Sequence, residues 1–398
     1  MSNALTSVTT DLSVFGNLVL EQLQPRLVML RRITVGVPVP ATYGDEIQIS
    51  DISVSGNAGT RAVGGAATAS DLVALTRTIT KTNIYKAVKL DNLEIFFSNI
   101  GLMERAARQI ARAVAREVDA VILRLVDTDV PYEVGQLDGS SCMDEAQKYL
   151  SLAYKQLMKN GADVESLFCV LGDSEAHNFR QNSNLYKVNE AGSSDLLRRA
   201  ILGSVLGFEI VESQQVVSST LSTNAATTGT ASVSAASLGA SSISAASLGT
   251  GTIKKGTTFT ISTVNNALGN SIGFVVTADA TITANAATLP IYPSLPVALA
   301  GTETLTFVDH SAAGSMNLAW DRDSILGYVA APAPFPEGTG VASTTVTDEQ
   351  SGLSIRIAAK SNLLGSAGNA YNTELGADVM FGAKVIRPEG TVKITGEV

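Results

Sequence analysis

The stretch SNIGLMERAARQIARAVAREVDAVILRLVDT, residues 98–128, decides how the rest of the chain is read. Met103, Ala107, Ile110, Val114, Val118, Val121 and Leu125 recur at three- and four-residue steps, the spacing of one helix face. Arg105, Arg108, Arg112 and Arg116 follow another stripe of the same cylinder. At about 1.5 Å per residue the segment predicts a rod on the order of 45 Å long. A rod of that kind braces an extended subunit better than it lines a compact catalytic pocket. The arginine stripe has two readings. It is a solvated face paired with Glu104, Glu117 and Asp119, each pair contributing a few tenths of a kcal/mol, or it meets phosphates or another subunit. Spacing alone leaves both open.

The chain has 398 residues, enough for two or three domains, yet only 16% are charged against roughly 25% in an average globular protein. Much of its surface is therefore neutral or meets other subunits. Aromatic residues make up 5%, which favours sheets and close backbone packing over deep aromatic pockets. The net charge of −9 is unevenly spread: residues 1–130 hold 13 Lys/Arg and 13 Asp/Glu, leaving 15 and 24 for the remainder. The first third is thus the side suited to face a polyanion. Asp11 and the late first cation, Arg26, argue against a secretory signal. No apolar run reaches the roughly 20 residues that span a bilayer. Cys169, in the apolar run Leu167–Leu171, reads as a small core hydrophobe, and with Cys142 it fits a reducing compartment.

Outward from the rod, residues 1–32 read as an arm. Leu12, Phe15, Val19 and Leu23 keep helical spacing up to Pro25, and a segment so short needs a neighbour to cover its apolar face. Ile47, Ile49, Ile52 and Val54 predict a strand, and Thr76, Thr78, Thr80 and Thr82 alternate through a second. Gly56, Gly59, Arg61, Gly64 and Gly65 lie between them as a hairpin tip. A two-stranded ribbon is marginal alone, so it too calls for support. Beyond the rod, a helix over 143–160, the strand Leu167–Leu171, short helices near 173–179 and 195–202, and a strand at 207–211 predict a mixed sheet with helices on its faces. Residues 218–306 carry only Lys254, Lys255, Asp279 and Glu303 as charges, and the hexapeptide SAASLG occurs at 234–239 and again at 244–249. Residues 218–250 read either as low-complexity disorder or as the start of an inserted β domain, and the short β-rich runs at 257–308 favour the second.

No catalytic constellation emerges. His177 sits on a polar helix surface and His310 in a Ser/Gly-rich turn, and two histidines exclude a His-rich metal site. The Gly-rich runs lack the Lys-Ser/Thr ending of a phosphate loop. Asp321-Arg322-Asp323 reads as a local ion pair, not a cation loop. The sequence names no catalytic, cofactor-binding or metal-binding residue.

Taken in order, these parts resemble the major capsid proteins of tailed double-stranded DNA phages. Gly203-Ser-Val-Leu-Gly207-Phe208-Glu-Ile-Val211-Glu-Ser213, Asn317-Leu-Ala-Trp320-Asp-Arg322-Asp-Ser-Ile325 and Asp378-Val-Met-Phe381-Gly382-Ala-Lys384-Val-Ile-Arg387-Pro388-Glu389 carry the likeness together with the rod. The insertion resembles the branch typified by phage P-twenty-two. The resemblance implies an α+β HK-ninety-seven capsid fold: arm 1–32, connector 33–44, E-loop hairpin 45–88, P domain 89–128 and 379–398, A domain 129–217 and 317–378, inserted barrel-like domain 218–316. It implies self-assembly into hexamers and pentamers of an icosahedral head, built in the bacterial cytoplasm around packaged DNA, with a scaffolding protein and portal as partners and no membrane or enzyme activity. The spine arginines would then face the lumen or neighbouring subunits. A β-rich tail, fibre or surface-layer protein is the competing class. It accounts for the middle of the chain but not for the charged rod.

Overall fold

In the computed structural model, the described residues are 2–23, 26–36, 46–53, 73–91, 102–135, 146–163, 165–181, 203–219, 231–266, 268–308, 314–330, 332, 335, 341–347, 352–362 and 372–396. They form a mixed α+β architecture in two compact units.

The first unit gathers Met1–Gln48, Thr78–Ile122 and Leu326–Lys384. Its sheet runs Thr34–Val35, Ile325–Ala330, Asn372–Val385, Ser354–Asn362 and Val341–Thr347, and Thr82–Asp91 also pairs with Asn372–Val385. That last pairing is antiparallel over ten residues, from Asn372 opposite Asp91 to Phe381 opposite Thr82. Helix α1, Ser2–Leu23, buries Leu12, Phe15, Val19 and Leu23. It packs on Val341–Thr347 and Ser354–Asn362. Gly16 makes this possible, since a Cβ there would stand 2.6 Å from Val346 Cγ2. The arm's apolar face is therefore covered by the same chain's sheet. Helix α2, Leu102–Leu123, is the rod. Its regular turns stop before the predicted end at 128, because Arg124–Asp127 tightens into a 3-10 turn, while residues 98–101 lie outside the described residues.

In the same sheet Arg356 and Asp378 face each other in register. Arg356 Nε donates to Asp378 Oδ1 at 3.0 Å, and its guanidinium carbon lies 4.1 Å from the centre of the Phe335 ring.

The second unit gathers Ile49–Arg77, Leu123–Ile325 and Val385–Val398. Its main sheet runs Glu133–Gly135, Thr391–Gly396, Gly314–Asp321, Leu167–Leu171, Phe208–Glu212 and Ser204–Val205, with Val217–Ser219 also on Gly314–Asp321. Leu167–Leu171 and Phe208–Glu212 are parallel, as a βαβ crossover demands. Helices α3, Ala146–Asn160, and α4, Asp173–Gln181, supply Leu150, Leu157 and Phe179 to the core shared with Cys169, Phe208 and Ala319. Asn317 is wholly buried and satisfied by bonds across the sheet, accepting from Gly172 N at 2.9 Å and donating to Ile394 O at 3.2 Å.

Within this unit six strands close into a barrel: Ala231–Val233, Ser242–Ala246, Ala286–Tyr292, Ser271–Val276, Thr258–Asn265 and Thr304–Phe307. Ile243, Phe259, Ile261, Phe274 and Leu289 fill it. The SAASLG repeats lie here, the first between Ala231–Val233 and Ser242–Ala246 and the second running from Ser242–Ala246 into the turn beyond. Both repeats end on a glycine at positive φ, Gly239 and Gly249, a conformation that suits the residue without a Cβ. The leucines part company: Leu248 is 1% exposed in the barrel core and Leu238 is 44% exposed.

The late strands do not stay together as the 379–398 grouping expects. Asn372–Val385 belongs to the first unit's sheet, whereas Thr391–Gly396 pairs with Gly314–Asp321 in the second. The 3-10 turn Pro388–Gly390 stands between them. Proline at its first position removes an N–H that a continuing strand would need. The predicted helix at 195–202 lies outside the described residues.

Candidate functional site: the arginine stripe of helix α2

Helix α2 forms because it is rich in alanine and long straight side chains and carries Glu104 in its first turn, where the helix dipole favours negative charge. Ala107, Ile110, Ala111, Val114, Val118 and Ile122 are buried along one face. Arg105, Arg108, Arg112 and Arg116 are all exposed on the other. Arg108 pairs with Glu104 one turn earlier, with both side chains about half exposed at 48% and 49%. Screening by water leaves such a pair a few tenths of a kcal/mol.

Asp119 does not join the stripe as a surface partner. It is 4% exposed, and its two carboxylate oxygens accept backbone hydrogen bonds from the chain that follows α1: Val28 N to Oδ2 at 3.2 Å and Met29 N to Oδ1 at 3.1 Å. Burial pushes its pKa up to about 6, while the two backbone bonds and the charge of Arg32 oppose that rise. One carboxylate on the long helix thereby fixes the path of residues 26–32.

Arg26 lies on that path. Arg26 Nε donates to Gln22 O at 2.9 Å, closing one of the open carbonyls at the end of α1. Loss of solvation, and then the charges of Arg112 and Arg108, lower the pKa of Arg26. The sequence signalled none of this except that an aspartate interrupts the apolar run Val118-Asp119-Ala120-Val121.

The hairpin legs Glu46–Ser53 and Val73–Thr80 pair as a two-stranded sheet. The tip residues Gly56, Gly59, Arg61, Gly64 and Gly65 lie outside the described residues, as do Cys142 and His310. His177 is exposed on α4, with its Nε2 2.8 Å from Gln181 Nε2. Cys169 is fully buried, which pushes its thiol up to about 12 and leaves it inert as a nucleophile. Asp321, also buried, lines a polar cleft of about 350 Å³ with Asp163, Ser324, Arg387 and Glu389. Burial, Asp323 and Asp163 raise its pKa. Among the described residues no three His, Cys, Asp or Glu side chains are placed to hold a metal ion, and no helix is long and apolar enough to cross a membrane.

No protein-family model and no curated protein matches the sequence. Among solved structures, the chain is similar to one from the capsid of cyanophage P-SCSP1u, with 11% identity and a TM-score of 0.48 over 92% of this chain and 86% of that one. It is similar to a chain of Mycobacterium phage Che8, with 13% identity and a TM-score of 0.46 over 89% and 85%. It is also similar to a virus-like particle from Pyrococcus furiosus, with 7% identity and a TM-score of 0.44 over 95% and 96%.

Proposed function

We propose that this chain is the major capsid subunit of a tailed double-stranded DNA phage, with an HK-ninety-seven fold and an inserted barrel of the P-twenty-two type. The observation that carries the reading is the long helix α2, apolar on one face and arginine-bearing on the other, in a chain that also holds a two-stranded hairpin and a closed barrel. A fibre or surface-layer protein has no use for such a rod. The low proportion of charge suits a subunit most of whose surface meets copies of itself.

In this reading the subunits form hexamers and pentamers of an icosahedral head assembled in the bacterial cytoplasm. A scaffolding protein and a portal take part in assembly, and Arg105, Arg108, Arg112 and Arg116 face packaged DNA or neighbouring subunits. Arg61 is the one cationic residue between 55 and 70, and a protonated guanidinium is a poor nucleophile, so the shell is held without covalent links.

Negative-stain microscopy of the purified protein tests the reading. Closed shells are expected; fibres or flat sheets would transfer it to the β-rich tail or surface-layer class, and dispersed particles would reject both. Heating the shells in denaturing detergent should release monomer, and a ladder of covalent oligomers would refute the non-covalent shell.

A further inference from the structure

We infer that the inserted barrel has a task beyond its own fold: through Tyr292 it grips the hairpin leg Val73–Thr80 at Arg77 and holds the root of that leg in one position. Only the consequence for assembly rests on the capsid reading.

The leg needs a holder. Among the described residues Val73–Thr80 pairs only with Glu46–Ser53, and a two-stranded ribbon is marginal in water. Tyr292 is well placed to supply the hold. It is the last residue of the barrel strand Ala286–Tyr292 and stands opposite Val275 in the ladder, so the barrel fixes its backbone. Its hydroxyl accepts from Arg77 Nη1 and donates to Val385 O. Arg77 Nη1 also lies 3.4 Å from Val385 O, and its guanidinium carbon lies 5.6 Å from the centre of the Tyr292 ring. All three residues belong to the second unit.

One phenol thus uses its proton on the end of a long strand and its lone pair on a cation of the hairpin, and its ring meets the same cation a second time. Tyr292 is only 9% exposed, so a hydroxyl stripped of these partners would carry the full cost of its burial. Burial pushes its pKa up against the opposing charge of Arg77, which keeps the group a donor near neutral pH. Phenylalanine in its place would retain the ring and lose both bonds. In a shell every hairpin must take the same path, and a leg held at its root before assembly loses less freedom on contact than a loose one.

The test compares the full-length unassembled subunit with Tyr292→Phe, Arg77→Gln and the double variant. Hydrogen exchange is read along Val73–Thr80 and, within the barrel, at the Val233 and Val308 amides, which donate to Glu303 O and Thr258 O. Y292F should speed exchange along the leg on the order of tenfold and leave the two barrel amides at the parent rate. R77Q should do the same, and the double variant should go no further than either, because both substitutions break one link. Lys254→Gln, which removes an exposed barrel ion pair with Asp279, should change neither set of amides. Leg exchange indifferent to Y292F, or single effects that multiply in the double variant, would overturn the inference. So would equal acceleration of the barrel amides, which would make Tyr292 a support of the barrel alone. Y292F should also give fewer closed shells than the parent at equal subunit concentration, and normal shells would remove the grip from assembly. Parent shells with a leg that ignores both substitutions sink this inference alone; a responsive leg in a parent protein that forms no shells sinks the capsid reading alone.

Discussion

Lys393 and Glu133 form an ion pair at 3.2 Å in which both side chains are sealed from water, at 0% and 1% exposure. The Lys393 ammonium also donates to Gly256 O, and Thr258 Oγ1 donates to Glu133 Oε2 at 2.6 Å. A strand near the end of the chain is thus joined to the barrel through one buried charge. Lys393→Met leaves Glu133 buried and uncompensated. The expected loss is about 3–5 kcal/mol, and E133L added to it should recover most of that, because two apolar groups replace the pair without an orphaned charge. Urea melts of the two variants check this.

The barrel has its own apolar filling, so an excised fragment of residues 231–308 should show dispersed amide signals and a cooperative melt. It should melt below the intact chain, because excision removes Lys393 and also Lys159 O, which accepts from Asn270 Nδ2 at 2.8 Å. Collapse of the fragment to a random coil would show that those ties are obligatory.

Gly16→Val should weaken the first unit. Its Cβ would lie 2.6 Å from Val346 Cγ2 and 3.2 Å from Ile357 Cγ1, lifting α1 from the sheet at a cost of about 1–3 kcal/mol. That outweighs the smaller gain from replacing a glycine inside a helix. Deletion of residues 1–24 should be more severe, lowering the thermal midpoint by more than the point substitution, since it uncovers Val341–Thr347 and Ser354–Asn362.

Asp119 predicts a pH effect of definite sign. With its folded pKa raised to about 6 from the ordinary 3.8, the native state holds the proton more tightly than the unfolded chain. Its contribution to stability is full below about pH 4 and lost as the pH rises through 6, a change on the order of 2–3 kcal/mol. A carboxyl titration followed by NMR should place the midpoint near 6. In Asp119→Asn the slope of stability against pH over that window should flatten.

Replacing Arg105, Arg108 and Arg112 together with Gln should hardly move the melting midpoint, as the three are exposed and the Glu104 pair is weak. Particle yield or packaged DNA should fall. Normal values of both would remove the stripe from any role in assembly or DNA retention.

Legibility in the sequence followed the range of the interactions concerned. The face of α2, the strand around Cys169 and the runs that became the barrel were readable because periodicity and β-branching act over neighbouring residues. The cover for α1 was not, since an amphipathic pattern states that a face is buried and not by what. Lys393 reads as the polar position of an ordinary strand, and its burial depends on Glu133 and Gly256, distant in the chain. Asp119 was hidden for the same reason: it takes its meaning from a loop returning to the helix.

The closure of the barrel has a consequence for crowding. Ala231–Val233 pairs with both Ser242–Ala246 and Thr304–Phe307, so the ring of strands has no loose margin. An open sheet repeated at high density offers each copy a ready strand to join and invites runaway polymerisation. A cylinder with every strand engaged on both sides can be displayed over and over on a lattice while remaining indifferent to its own replicas.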